Sequence, residues 1–144
     1  MWDWLPALLV SSLPWPRRRP PMTSQGTARG RFGRAIRDRH LARAEMAVRE
    51  MGRLSLADAL SLLLLIGEFE PERWPRAAAR WHARFVLEAR GIDLDEVELV
   101  LAAVRALCGP HSELAAQTLR QLAYAHGLDT VVAALDPAVL PVAE

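Results

Sequence analysis

Between Leu54 and Phe69 the chain is apolar around almost the whole circumference of a helix. At roughly 100° per residue, Leu56, Leu60 and Leu64 fall on one side, Leu62 and Phe69 on the opposite side, and Ala59, Ile66 and Leu63 between them. The wettable arc covers about a third of the wheel and holds Ser61, Glu68 and Asp58, with Leu65 and Ala57 among them. Burying a Leu or Ile is worth roughly 1.5–3 kcal/mol relative to exposure. Such a helix therefore needs neighbours on several sides, and the fold expected is an all-α bundle built around it. The unbroken run from Leu62 to Ile66 is far below the roughly 18–20 residues that cross a bilayer, so no membrane association is expected.

Amphipathic patterns flank this helix. From Phe32 to Met51, Ile36, Leu41, Ala44, Ala47, Val48 and Met51 share one half of a wheel, while Arg31, Arg34, Arg39, Arg43, Arg49 and Arg53 occupy the other. His40 is a candidate break within that stretch. Gly52 ends it, and Ser55 with Asp58 has capping-box spacing at the start of the apolar helix. Pro71 is placed to open a helix running to about Ala89, with Trp74, Ala78, Trp81 and Phe85 along one stripe. Asp93 with Glu96 opens the next helix, which carries Val97, Val100, Leu101, Val104, Leu107 and Cys108 on one face. Ser112 is read as the cap of another, whose buried side is Ala115, Leu119, Leu122, Ala123 and His126, and Asp129 to Leu135 adds a last turn or two. The expectation is five to six helices in antiparallel hairpins. The helical hairpins beginning at Leu56 and Leu94 also have a spacing close to that of helical-repeat proteins, so a closed bundle and an open hairpin stack both fit.

Charge is distributed unevenly. Residues 1–53 carry 11 Arg against 4 acids, and residues 54–144 carry 7 Arg against 13 acids. A net charge of +1 thus conceals a basic arm on a mildly acidic body. All 18 basic residues are Arg, with no Lys and no Asn in the chain, a composition that fits a GC-rich bacterial genome. Residues 1–30 are expected to be a disordered extension, residues 31–136 a single helical domain, and residues 137–144 a frayed tail. Translation starting at Met22 and a genuine Pro-rich extension presenting Trp2, Trp4 and Trp15 are two readings of the first segment. Its arginines follow rather than precede the apolar stretch, the reverse of an export signal, so the protein is expected in the cytoplasm. Cys108, the single cysteine, lies on an apolar stripe and is expected as a buried structural thiol.

The strings RGRFGRAI (Arg29 to Ile36), RLSLADAL (Arg53 to Leu60), RAAARWHARFVLEARG (Arg76 to Gly91) and LAAVRAL (Leu101 to Leu107) resemble a group of small uncharacterised helical proteins of high-GC Gram-positive, actinobacterial species. The similarity spans roughly Gly30 to Gly127. It implies a small helical protein and, because that group has no established activity, assigns no site residue. It favours Met22 as the start.

No catalytic or metal signature is present. His40, His82, His111 and His126 have no zinc-ligand spacing, and a hydrogen-bonded core histidine is the expected role for His126 and for His82 at the edge of the Trp stripe. No serine sits in a nucleophile elbow, the glycines do not form a phosphate loop, and the acids around Glu68 to Glu72 and Asp93 to Glu98 stand where helix starts favour carboxylates. No catalytic residue, metal or cofactor is therefore assigned. The function expected is a non-enzymatic protein–protein interaction module. Its candidate partner surface is the ladder Arg73, Arg76, Arg80 and Arg84, although internal ion pairs with the Asp93 to Glu98 run would also account for that ladder. The alternative is a small nucleic-acid-associated protein that binds phosphates through Arg31, Arg34, Arg37, Arg39 and Arg43.

Overall fold

The starts of four helices, at Thr27, His40, Ser55 and Asp93, are set by side chains that accept otherwise unbonded amides. Thr27 Oγ1 accepts Gly30 N at 3.1 Å and Ser55 Oγ accepts Asp58 N at 3.0 Å. Asp93 and Glu96 bond reciprocally, at 2.9 and 3.1 Å. The resulting elements, in a computed structural model that describes residues 27–136, are α1 (Ala28–Arg37), α2 (Leu41–Met51), α3 (Leu56–Phe69), α4 (Trp74–Glu88), α5 (Leu94–Ala106), α6 (Ser112–Ala125) and α7 (Asp129–Ala134), with a 3-10 turn, Pro71–Arg73, leading into α4. The Met22 start, the Trp2, Trp4 and Trp15 segment and the tail from 137 onward lie outside the described residues.

Among the described residues seven α-helices replace the five or six expected, for two reasons. First, Arg39 takes φ 52°, a left-handed conformation that ends α1, and His40 Nδ1 then accepts Arg43 N at 3.4 Å to start α2. Second, the segment after Gly127 forms a helix of its own. The order expected to begin at Arg31 begins at Ala28, because Thr27 supplies a cap. Ser112 is not a cap: it is the first residue of α6, and no side chain caps that helix.

Packing explains why α3 is greasy all round. On one side Leu56, Leu60 and Leu63 enter a core with Trp81, Phe85, Val104 and Leu119, while on the other Leu65 and Ile66 enter a smaller core with Phe32, Leu41 and Ala44. α3 contacts α4, α4 contacts α5, α5 contacts α6, α6 contacts α7, and α7 returns to α3. This ring closes the larger core, so the two hairpins form a bundle rather than an open stack. The α1–α2 pair sits outside the ring, against α3.

Two assignments on α3 change. Leu65, placed in the wettable arc, is 5% exposed because α1 and α2 cover that face, and Phe69, placed among the apolar positions, is 51% exposed where the helix ends. Gly67 is an unforeseen constraint. A Cβ there would stand 2.7 Å from Trp74 Cε3 and closer still to Cys108 Sγ, so only glycine lets α3, α4 and the α5–α6 turn meet. Across the core, Trp81 Nε1 donates to the Leu56 carbonyl at 3.0 Å, satisfying the one polar atom of that buried ring.

Candidate interaction surfaces

The arginine ladder does not form one surface. Arg73 is half-buried and bonded to Glu70 and, at 2.7 Å, to Glu45 of α2, and these carboxylates, Glu70 foremost, raise its pKa further. Arg84 pairs with Glu88 one turn on, at 2.8 Å, and not with the Asp93 to Glu98 run. Arg80 is engaged as well. Arg76 is exposed and makes no ion pair with a described residue.

The arginines of α1 and α2 are also drawn into the fold. Arg31 pairs with Glu50, and Arg39 straddles the Glu68 carboxylate, with Nε at 3.2 Å from one oxygen and Nη2 on the other. Arg29 stands 3.2 Å from Asp58. Arg34 is not free. Arg37 and Arg43, both exposed, carry no ion pair with a described residue. The pairs to Asp58 and Glu68, like that between Arg73 and Glu45, join the N-terminal hairpin to α3 and the start of α4. The cationic half of the wheel therefore serves partly as attachment.

Sequence reasoning missed the apolar outer face of α5 and α6. Leu99 and Leu114 are 47% and 62% exposed, and they flank a cavity of about 140 Å³ whose other lining residues are Ala103, Ala106, Ala115, His111 and Thr118. The signal was available as two leucines outside the buried stripes of their helices. A second hollow, of about 350 Å³, lies between α4 and α5 and is lined by Trp74, Pro75, Ala78, Ala79, Leu101 and Arg105. Arg105 is the one charged residue of that lining, so no acid–base pair converges there.

Cys108 departs from expectation. The residue is exposed, although its sulfur lies beside Gly67, and partial desolvation raises the thiol pKa, which disfavours the reactive thiolate. His82 and His126 are hydrogen-bonded as expected: His82 Nε2 lies 3.0 Å from the Val97 carbonyl, and His126 Nδ1 lies 2.7 Å from the Arg90 carbonyl. Among the described residues no three His, Cys, Asp or Glu side chains converge as a metal site, and no helix is long and apolar enough to cross a membrane.

No family model, curated protein or solved structure matches the chain.

Proposed function

We propose that the protein is a non-enzymatic helical interaction module whose partner surface is the groove between α5 and α6. The observation that carries this reading is the pair Leu99 and Leu114, 47% and 62% exposed on either side of an apolar hollow. A contiguous apolar patch beside a concavity is the kind of surface that protein partners cover. At about 140 Å³ the hollow admits one or two side chains of a partner protein, whereas drug-sized ligands occupy roughly 300–1,000 Å³. The arginine ladder is a weaker surface, since Arg73 and Arg84 are already paired within the chain.

Affinity capture from the source organism compares the wild type with Leu99→Glu and Leu114→Glu. Both variants should keep the helical circular dichroism spectrum and lose a partner that the wild type and Arg76→Glu retain. Capture of the same partner by all four proteins overturns the groove assignment. The alternative, phosphate binding through α1 and α2, is opposed by the pairing of Arg31 and Arg39 with Glu50 and Glu68. It predicts a salt-sensitive shift of a labelled duplex or RNA that Arg37→Ala and Arg43→Ala abolish.

A further inference from the structure

We propose that His126, Glu96 and the Arg90 carbonyl form a proton-operated latch that fixes the α4–α5 turn to the C-terminus of α6. His126 caps α6 and is 7% exposed. Its Nδ1 lies 2.7 Å from the Arg90 oxygen, and its Nε2 lies 3.0 Å from Glu96 Oε2. The backbone adds a long bond in the opposite sense, with Arg90 N donating to the His126 carbonyl at 3.4 Å.

Both ring nitrogens thus face acceptors. A neutral imidazole has one N–H and one lone pair. If Nδ1 carries the proton, the Nε2 lone pair confronts a carboxylate; if Nε2 carries it, the Nδ1 lone pair confronts a carbonyl. Only the imidazolium serves both contacts. The Nε2 contact is ionic rather than an aligned hydrogen bond, and Glu96 Oε2 also accepts the Asp93 amide, at 3.1 Å, in the α5 capping box. A positive charge at the end of α6 is further favoured by the helix dipole.

The charged groups around the ring act in one direction. Glu96 and Asp93 of α5 favour the cation, and with the Arg90 carbonyl as the largest influence they raise the His126 pKa above its ordinary 6.5, against the opposing effect of burial. Other titratable groups on the adjoining elements include His82 of α4, bound to the Val97 carbonyl; Glu88 of α4, paired with Arg84; the exposed Arg90 side chain; Asp95 and Glu98 of α5; the exposed Tyr124 of α6; and Asp129 in the first turn of α7. A folded-state pKa raised above the unfolded value contributes stability that is full below about 6.5 and is lost as pH rises through the folded value. The latch is closed below the folded-state pKa of His126 and releases as pH rises through it. Leu87, Leu94 and Tyr124, each within one helical turn of a latch residue, are exposed, so release alters a surface and leaves the closed core intact.

The test uses the full chain and two NMR readouts across a pH series: the titration of the His126 ring, and the exchange of the Arg90 amide corrected for its intrinsic base catalysis. The ring should titrate above 6.5, and Arg90 protection should fall through that same midpoint. Glu96→Gln keeps an acceptor for the Asp93 amide and removes the charge, so the midpoint should drop. In His126→Gln the step in Arg90 protection should vanish. A ring midpoint at or below 6.5, an unshifted midpoint in Glu96→Gln, or Arg90 protection that is flat through the midpoint each overturns the latch. Should His126→Gln fail to fold, the wild-type and Glu96→Gln measurements still decide.

Discussion

The two sides of α3 face cores of different size and construction. Toward α4–α7 the core holds seventeen buried residues, three of them α3's own, and includes Trp81, Phe85 and four further leucines from α5 to α7 and the segments that follow them; toward α1 and α2 it holds seven, two of them α3's own and three of them alanines. The larger core is closed by a ring of helices, while the smaller is a hairpin lying on one wall, with Arg–carboxylate pairs along its edge. Exposed pairs contribute about 0–1 kcal/mol each, so they orient the hairpin more than they hold it. Alanines allow close approach of α1, α2 and α3 but remove little apolar area from water. The α1–α2 unit should therefore open before the ring does.

The most severe break is Leu63→Asp, which buries an unpaired charge in the larger core, where Leu63 is 3% exposed. The variant should show no cooperative thermal transition; a native-like melt would remove α3 from the centre of the molecule. Next come paired truncations. Phe85→Ala should lower global stability by about 3–5 kcal/mol, measured by urea unfolding. Phe32→Ala should instead accelerate amide exchange over residues 28–51 while residues 94–135 stay protected; uniform loss of protection would mean that the two cores unfold as one. Gly67→Ala tests the seam where α3 meets Trp74 and Cys108, and overpacking there should cost about 1–3 kcal/mol. Its thermal midpoint should fall together with a change in Trp fluorescence. Smallest is Glu68→Ala, which removes the Arg39 pair and should shift stability by less than about 1 kcal/mol; a larger loss would make the ionic edge a principal attachment of the hairpin.

Much of the helix content was legible before any coordinates. Gly52, Gly91 and Gly127 all take positive φ where helices end, at 70°, 69° and 73°, and the Ser55 and Asp93 caps stand where their side-chain chemistry places them. The buried stripes of α4 and α6 also agree with their periodicity, including the unusual His126. What failed was anything that depended on a neighbour remote in sequence. Cys108 shares a face with Val104 but stands past the last turn of α5, at the edge of the ring, and is exposed. Arg84 finds Glu88 on its own helix rather than the acids of α5.

Local rules thus determined the all-helical character, the approximate helix boundaries, and the fact that α3 had to be enclosed, because capping, φ preferences and the 3.6-residue period act within a few residues along the chain. Which helices enclose α3, that α7 closes the ring, that Leu65 is covered while Phe69 is not, and that His126 meets Glu96 thirty residues away were decided only in the tertiary structure. These contacts depend on how helices cross and how closely their side chains allow them to approach, and an amphipathic stripe specifies that a face must be buried without specifying against what.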